Sequence, residues 1–397
     1  MYASPVQPAS GRAGGGRPWL AGLDVGLIAA AVGLIAVSVY TLTMATQDDV
    51  PGSPLYYVIR QSIYGVVGLG LMLVVARFDV TRLREYKNAI YAAMIGSIVL
   101  VFLFGAAARG SKRWIEFPFF RFQPSELGKV LLILALAAFV VNRARRLGDR
   151  ETTSRIVLLA LVPAMLVVAQ PDLGSGLVYL AIAAATMFIA GTKWSHLAAL
   201  TGMAVASVAI VLLVAPAVGV EVLKPYQVDR LTAFVNPRTD PQRQGYQLQQ
   251  SITAIGAGQK TGRGPEGATQ TRLDFLPEHH TDFIFSVIGE QFGFLGAGLV
   301  LSLYALLLWR ALRILTSSKN LYGALVAGGV TAMLMFQVFV NTGMTIGIMP
   351  ITGVPLPLMS YGGSSVLVTF LAIGLLQSVS AQARATELAR TRELAAA

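Results

Sequence analysis

The chain has 397 residues, 55% hydrophobic and 13% charged, with a mean hydropathy of +0.64. Soluble domains carry about 25% charged residues, so this is the composition of a polytopic membrane protein. The net charge of +11 reports orientation and lipid contact in such a protein, not a nucleic-acid partner, and the lack of cysteine excludes disulfides, thiolate metal sites and thiol nucleophiles.

Residues 1–20, MYASPVQPASGRAGGGRPWL, lack the apolar stretch of a signal peptide and read as a flexible cytoplasmic tail. Apolar runs of roughly 17–25 residues then predict ten membrane helices, at 25–44, 58–76, 88–107, 125–141, 156–171, 174–190, 197–215, 283–308, 321–341 and 364–383. The expectation is an all-α polytopic protein with both termini on one side. A single ten-span domain covers 21–383, its large extracytoplasmic loop lies at 216–281, and a second cytoplasmic tail covers 384–397.

Of the 31 Lys and Arg, 18 fall in the N-terminal tail, 77–87, 143–155, Lys193, 310–319 and 384–392, whereas the first outside loop, 45–57, has none. The positive-inside rule therefore places both termini in the cytoplasm. The short outside segment 109–123 breaks the pattern with Arg109, Lys112, Arg113 and Arg121. Those cations fit either a bound anion or anionic lipid heads.

Ionisable residues within or beside spans are functional candidates, because burying them is expensive. Arg60 opens span 2. Glu126 and Lys129, three apart, share one face of span 4 and form either a functional or a structural ion pair. Asp172 sits in the tight QPDLG turn between spans 5 and 6. The stretch GYQLQQSITAIGAG, 245–258, with apolar residues at 248, 252 and 255, predicts a helix on the outer membrane surface; glycines 256–267 predict an irregular, mobile segment after it.

Three carboxylates, Glu278, Asp282 and Glu290, lead into span 8. Asp282 at a membrane edge is either a general base or, with Thr281, the N-cap of the helix. His279 and His280 give no metal site in the sequence: adjacent histidines chelate poorly alone, and the only other histidine, His196, falls on the cytoplasmic side. The Gly- and Pro-rich stretch 342–365 is irregular backbone of the kind that lines protein or a cavity.

The ordered series RWIEF…FQPSELGK (113–129), QPDLGSG (170–176), YQVDRLTAFVNPRTDPQRQGYQLQQSITAIGAG (226–258), FLPEHHTDFIFSVIGEQFG (275–293) and NTGMTIGIMPITGVPLPLMSYGGSS (341–365) closely resembles the SEDS family of RodA, FtsW and SpoVE proteins, with YVIRQ and PLPLMSYGGSS favouring the RodA branch. The resemblance implies a glycosyltransferase that polymerises lipid II outside the cytoplasmic membrane and releases undecaprenyl diphosphate, beside a class B penicillin-binding protein. It maps the family's essential acid onto Asp282. The substrate-binding candidates are Arg109, Lys112, Arg113, Arg60, Lys129, Glu126, Asp172 and Glu278; in the mechanism the resemblance implies, the basic residues at 109–113, Arg60 or Lys129 stabilise the departing diphosphate, with or without a divalent cation such as Mg or Mn. GSKRW at 110–114 and Gln291 depart from the commoner pattern, and Gln291 removes a paired-carboxylate mechanism with Glu290. A lipid II flippase and a silent scaffold are the competing readings.

Overall fold

The computed structural model describes residues 22–108, 111–117, 120–214, 227–228, 230, 234, 244–273 and 275–396. All ten expected spans are helical: α1 (Val25–Ala45), α2 (Tyr56–Val75), α3 (Lys87–Phe104), α4 (Pro124–Asn142), α5 (Arg150–Ala169), α6 (Leu173–Ile189), α7 (Trp194–Ala209), α9 (Ile284–Ser317), α10 (Leu321–Thr345) and α11 (Gly363–Ala396), with α8 (Gln244–Gly258) in the long loop. Among the described residues nine helices are long and apolar enough to cross a membrane, and the apolar α6 is slightly shorter. Most of α4, of α10 and of the apolar stretch of α11 is buried, whereas α7 buries none of its apolar stretch. The exposed apolar side chains of α2, α3 and α7 are the expected lipid-facing surface of such a bundle.

One end of the bundle gathers the connections α1–α2, α3–α4, α5–α6, α7–α9 and α10–α11. The α3–α4 connection, expected as a plain loop, is an antiparallel three-stranded sheet: β1 (Ala106–Ala108), β2 (Ser111–Phe117) and β3 (Phe120–Phe122). Ile115 pairs with Phe122 and Glu116 with Arg121. Only seven residues long at most, these strands are too short for an alternation of polar and apolar residues to stand out beside helical hydropathy.

Helix α8 packs one face into protein. Its buried stripe is Gly245, Leu248, Ser251, Ala254 and Gly258, while Ile252 is exposed. Gly258 approaches α9 so closely that a Cβ would stand 1.7 Å from the Gly289 carbonyl oxygen. Ser251 Oγ also lies 2.6 Å from Ser286 Oγ and donates to the Thr345 carbonyl at 2.7 Å.

The glycine segment after α8 is irregular but tied down. Gly293 interrupts α9 with φ 66°, a left-handed conformation that costs glycine nothing. The backbone groups released there bond to the segment: Phe294 N donates to Gln259 O (2.8 Å), Leu295 N to Lys260 O (3.1 Å) and Arg263 N to Glu290 O (2.9 Å). The break in α9 and the glycine segment thus satisfy each other, as irregular backbone at membrane depth requires.

Gly258→Ala is expected to destabilise the detergent-solubilised protein by at least about 1–3 kcal/mol through overpacking. Gly256→Ala, where a Cβ meets nothing within 4 Å, should be neutral or stabilising by up to ~1 kcal/mol. Thermal unfolding of the two variants side by side checks this, with a lower Tm expected only for the first.

Candidate functional site

Asp282 stands where the α7–α9 and α10–α11 connections are stitched together. Asn341, fully buried in α10, donates from Nδ2 to the Asp282 carbonyl at 2.9 Å and to the Val354 carbonyl at 2.8 Å. Ser360 Oγ donates to the Thr281 carbonyl at 2.6 Å and accepts from Leu356 N at 2.8 Å. Tyr361 N donates to the His280 carbonyl at 2.9 Å. Gln61, buried in α2, closes the seam by donating to the Ser360 carbonyl at 3.2 Å and to Ser38 Oγ at 3.1 Å.

One of the two sequence readings of Asp282, the helix cap, does not hold. The N-cap of α9 is Phe283, without a side-chain cap bond, so neither Thr281 nor Asp282 is the capping residue. The Asp282 carboxylate turns toward Gly353 instead: Oδ2 is 3.5 Å from where a Cβ at Gly353 would sit. Gly353 has φ 72°, so a side chain there would be strained and would crowd the carboxylate. Arg230 converges on the same point, with Nη2 3.9 Å from it and Nη1 donating to the Thr352 carbonyl at 3.1 Å. Sequence reasoning passed over Arg230, one of seven basic residues in 216–281; only its position beside Asp282 distinguishes it.

Arg60 reaches the edge of the site. Its guanidinium lies 4.2 Å from the Tyr56 ring centroid and hydrogen-bonds the Tyr361 hydroxyl. Burial pushes the Tyr361 hydroxyl up to about 12, against the opposing pull of Arg60, so at neutral pH it is an uncharged phenol. Glu278, at φ 59°, accepts from Thr281 Oγ1 at 3.0 Å and shapes the turn that delivers Asp282.

The other candidates have structural partners. Asp172 caps α6, with Oδ1 accepting from Ser175 N at 3.1 Å and Oδ2 accepting from Gln123 Nε2 at 3.1 Å and Ser125 Oγ at 3.2 Å. Its turn abuts the site's backbone, since a Cβ on Gly174 would meet the Thr352 carbonyl oxygen at 2.7 Å. Glu126 and Lys129 form the expected i,i+3 pair at 2.5 Å, with side chains 3% and 1% exposed. Glu290 is wholly buried and accepts from Gln270 N, Thr271 N and Thr271 Oγ1 at 2.8, 3.0 and 2.6 Å.

Two of the four cations of the segment, Arg113 and Arg121, bond to protein groups. Arg113 donates from Nε to the Gln170 carbonyl at 3.1 Å and from Nη2 to the Pro171 carbonyl, clamping the end of α5. Arg121 pairs with Glu116 at 3.2 Å on an exposed surface. Lys112 lies in β2 opposite Ala107, its side chain outside the description, and Arg109 lies outside the described residues. A separate apolar groove of about 350 Å³ between α1 and α9, lined by Val37, Tyr40, Ile288, Phe292 and Leu299, holds none of the candidate acids or cations.

Removing one member of the Glu126–Lys129 pair strands a buried charge. Lys129→Met is expected to cost about 3–5 kcal/mol of stability, and adding Glu126→Gln should return most of it. Unfolding of the single and double variants measures that difference.

A model of the family described as "Cell cycle protein", FTSW_RODA_SPOVE, matches residues 23–385. The chain is 37% identical over 313 residues to a peptidoglycan glycosyltransferase, MrdB, of Escherichia coli K12, covering 79% of this chain and 82% of that protein. It is 36% identical over 366 residues to a probable peptidoglycan glycosyltransferase, FtsW, of Thioalkalivibrio sulfidiphilus, covering 90% and 89%. Near-equal identities to MrdB and FtsW do not separate the branches. The fold matches a chain in the solved structure described as "Structural coordination of polymerization and crosslinking by a peptidoglycan synthase complex", with TM-score 0.77 and 33% identity over 91% of this chain and 98% of that one. This helical, multi-pass membrane protein belongs to the FtsW/RodA/SpoVE family of cell cycle proteins.

Proposed function

We propose that the chain is a peptidoglycan glycosyltransferase that polymerises lipid II at the outer face of the cytoplasmic membrane, with Asp282 as its general base. The observation that carries this reading is the position of the Asp282 carboxylate: it is not the α9 cap, it is partly exposed, and it lies beside Gly353 and Arg230 where two irregular connections meet. The names and folds of the relatives support the same class of chemistry.

In this mechanism Asp282 takes the proton from the 4-hydroxyl of the acceptor N-acetylglucosamine as that oxygen attacks the anomeric carbon of the donor. The bond from that carbon to the lipid diphosphate breaks, and undecaprenyl diphosphate leaves with the bonding electron pair. Positioned general-base catalysis of this kind contributes about 10²–10⁴-fold. Arg230 faces the leaving diphosphate, because a guanidinium fork matches phosphate oxygens and its charge offsets what develops there. Arg230 thereby takes the role that the sequence assigned to Arg113.

The membrane side follows from charge: the opposite end of the bundle carries 77–87, 143–155, 310–319 and 384–392, in which Lys and Arg are concentrated. A class B penicillin-binding protein alongside would crosslink the strands; the solved relative belongs to a complex described by polymerization and crosslinking. The flippase alternative needs polar groups lining a path through the bundle. The buried Glu126–Lys129 pair, in the first turns of α4, is instead closed upon itself.

With labelled lipid II, Asp282→Asn is expected to lose glycan polymerisation by about 10²-fold or more at an unchanged Tm. Wild-type chain length and rate from that variant overturn the assignment. Arg230→Gln should raise the apparent KM for lipid II and slow turnover, while Arg113→Gln should lower Tm more than it changes KM.

A further inference from the structure

Asp49, in the connection between α1 and α2, meets His279 and His280 from the connection before α9. Asp49 Oδ2 lies 3.2 Å from His279 Nε2 and 3.6 Å from His280 Nδ1, and the three side chains are 12%, 6% and 18% exposed. All three donor atoms lie within 4.8 Å of one another.

The second shell fixes which nitrogen points inward. His279 Nδ1 is 3.2 Å from the Leu276 carbonyl oxygen. A carbonyl can only accept, so Nδ1 carries a hydrogen, and in the neutral imidazole Nε2, facing Asp49, is the nitrogen with the lone pair. This is the way metal-ligating imidazoles are oriented, with the far N–H given to a carbonyl or carboxylate. The His280 ring is held by Tyr57, at 4.5 Å between centroids, and by Tyr361 at 6.0 Å, so aromatic walls shield the cluster on that side.

We propose that Asp49, His279 and His280 bind a divalent transition-metal ion of the zinc type, which clamps the loop carrying Asp282 to the α1–α2 connection. Donors about 2.0–2.2 Å from a tetrahedral zinc stand roughly 3.3–3.6 Å apart, close to the two separations found. Two imidazoles and one carboxylate suit zinc and its neighbours, whereas Mg²⁺ prefers an all-oxygen octahedron. The site is thus distinct in chemistry from a Mg ion bridging a diphosphate. It also supplies the third ligand that the adjacent histidines lacked in the sequence: a carboxylate more than two hundred residues upstream, in place of a third histidine.

The test uses the full chain in detergent, stripped with EDTA and dialysed against Zn²⁺ or Mg²⁺, with bound metal measured by mass spectrometry and stability by thermal unfolding. Zinc is expected to be retained in a one-to-one ratio and to raise Tm, with no rise from Mg²⁺. Asp49→Asn and His280→Gln should each weaken zinc binding by at least the ~10–100-fold that changes in outer-shell partners alone produce. His196→Gln, near Thr153 at the other end of the bundle, should bind as the wild type does. X-ray absorption of the zinc-loaded wild type should show two imidazole nitrogens, and that readout holds even where a variant fails to fold. Absence of retained zinc, a Tm rise that survives Asp49→Asn, or a spectrum lacking the imidazoles overturns the proposal; the first would leave a proton-linked His–Asp contact. Asp282→Asn should bind zinc normally, so a failure of this site is distinguishable from a failure of the glycosyltransferase reading.

Discussion

Asn341 sets the geometry on which the rest of this end of the molecule depends. Its amide group, fully buried in α10, donates to one carbonyl in each of two irregular connections, those of Asp282 and Val354. At a membrane edge, backbone that is neither helix nor sheet must find its partners inside the protein, because lipid offers none. One side chain bonded to both connections fixes their spacing, and that spacing brings the Asp282 side chain to Gly353 and Arg230. Ser360 and Gln61 extend the same seam toward α1 and α2, so side chains from three helices, α10, α2 and α1, brace connections that are themselves loops.

The charges divide into those consumed by the fold and those presented by it. Asp24 is consumed: it caps α1 through Leu27 N, pairs with Arg310 of α9, and its backbone N–H and C=O bond Gln377 of α11. Glu290 and the Glu126–Lys129 pair are consumed in the same manner. Taking such groups out of water costs several kcal/mol each, repaid only where bonds saturate them. Asp282 differs in being partly exposed, with its backbone carbonyl fixed by the seam.

Close backbone approach does for the α8–α9 interface what hydrogen bonds do for the seam. Gly258 and Gly262 lie so near α9 that a Cβ would collide with the carbonyls of Gly289 and Gln291. The glycine segment also bonds the backbone on either side of the Gly293 break. Small residues at such contacts let dispersion and backbone polarity replace a hydrophobic effect that is weak between apolar helices in lipid. The first turns of α9, which follow directly from Asp282, are therefore braced by α8 and its glycine segment on one side and by the Asn341 seam at their start.

The sequence by itself determined the ten spans, the asymmetry of basic residues between the two ends, the Glu126–Lys129 pair and the importance of Asp282. Each rests on a local property: run length, side-chain type, or a spacing of three on a helix. What the tertiary structure decided is everything that depends on segments remote in the chain. It made Arg113, expected to hold an anion, a clamp on the carbonyls that end α5. It removed the helix-cap reading of Asp282 by placing Phe283 at the cap. It packed one face of α8 into protein and bonded the glycine segment where glycine content suggested a mobile stretch. Arg230 and Asp49 carry no local signal at all, one among several loop cations and the other in a short loop before α2, and acquire significance only from what they face. Hydropathy records which residues enter the membrane, because that choice is made segment by segment. Hydrogen-bond partners and close contacts are chosen between segments, and no window along the chain contains both halves of the pair.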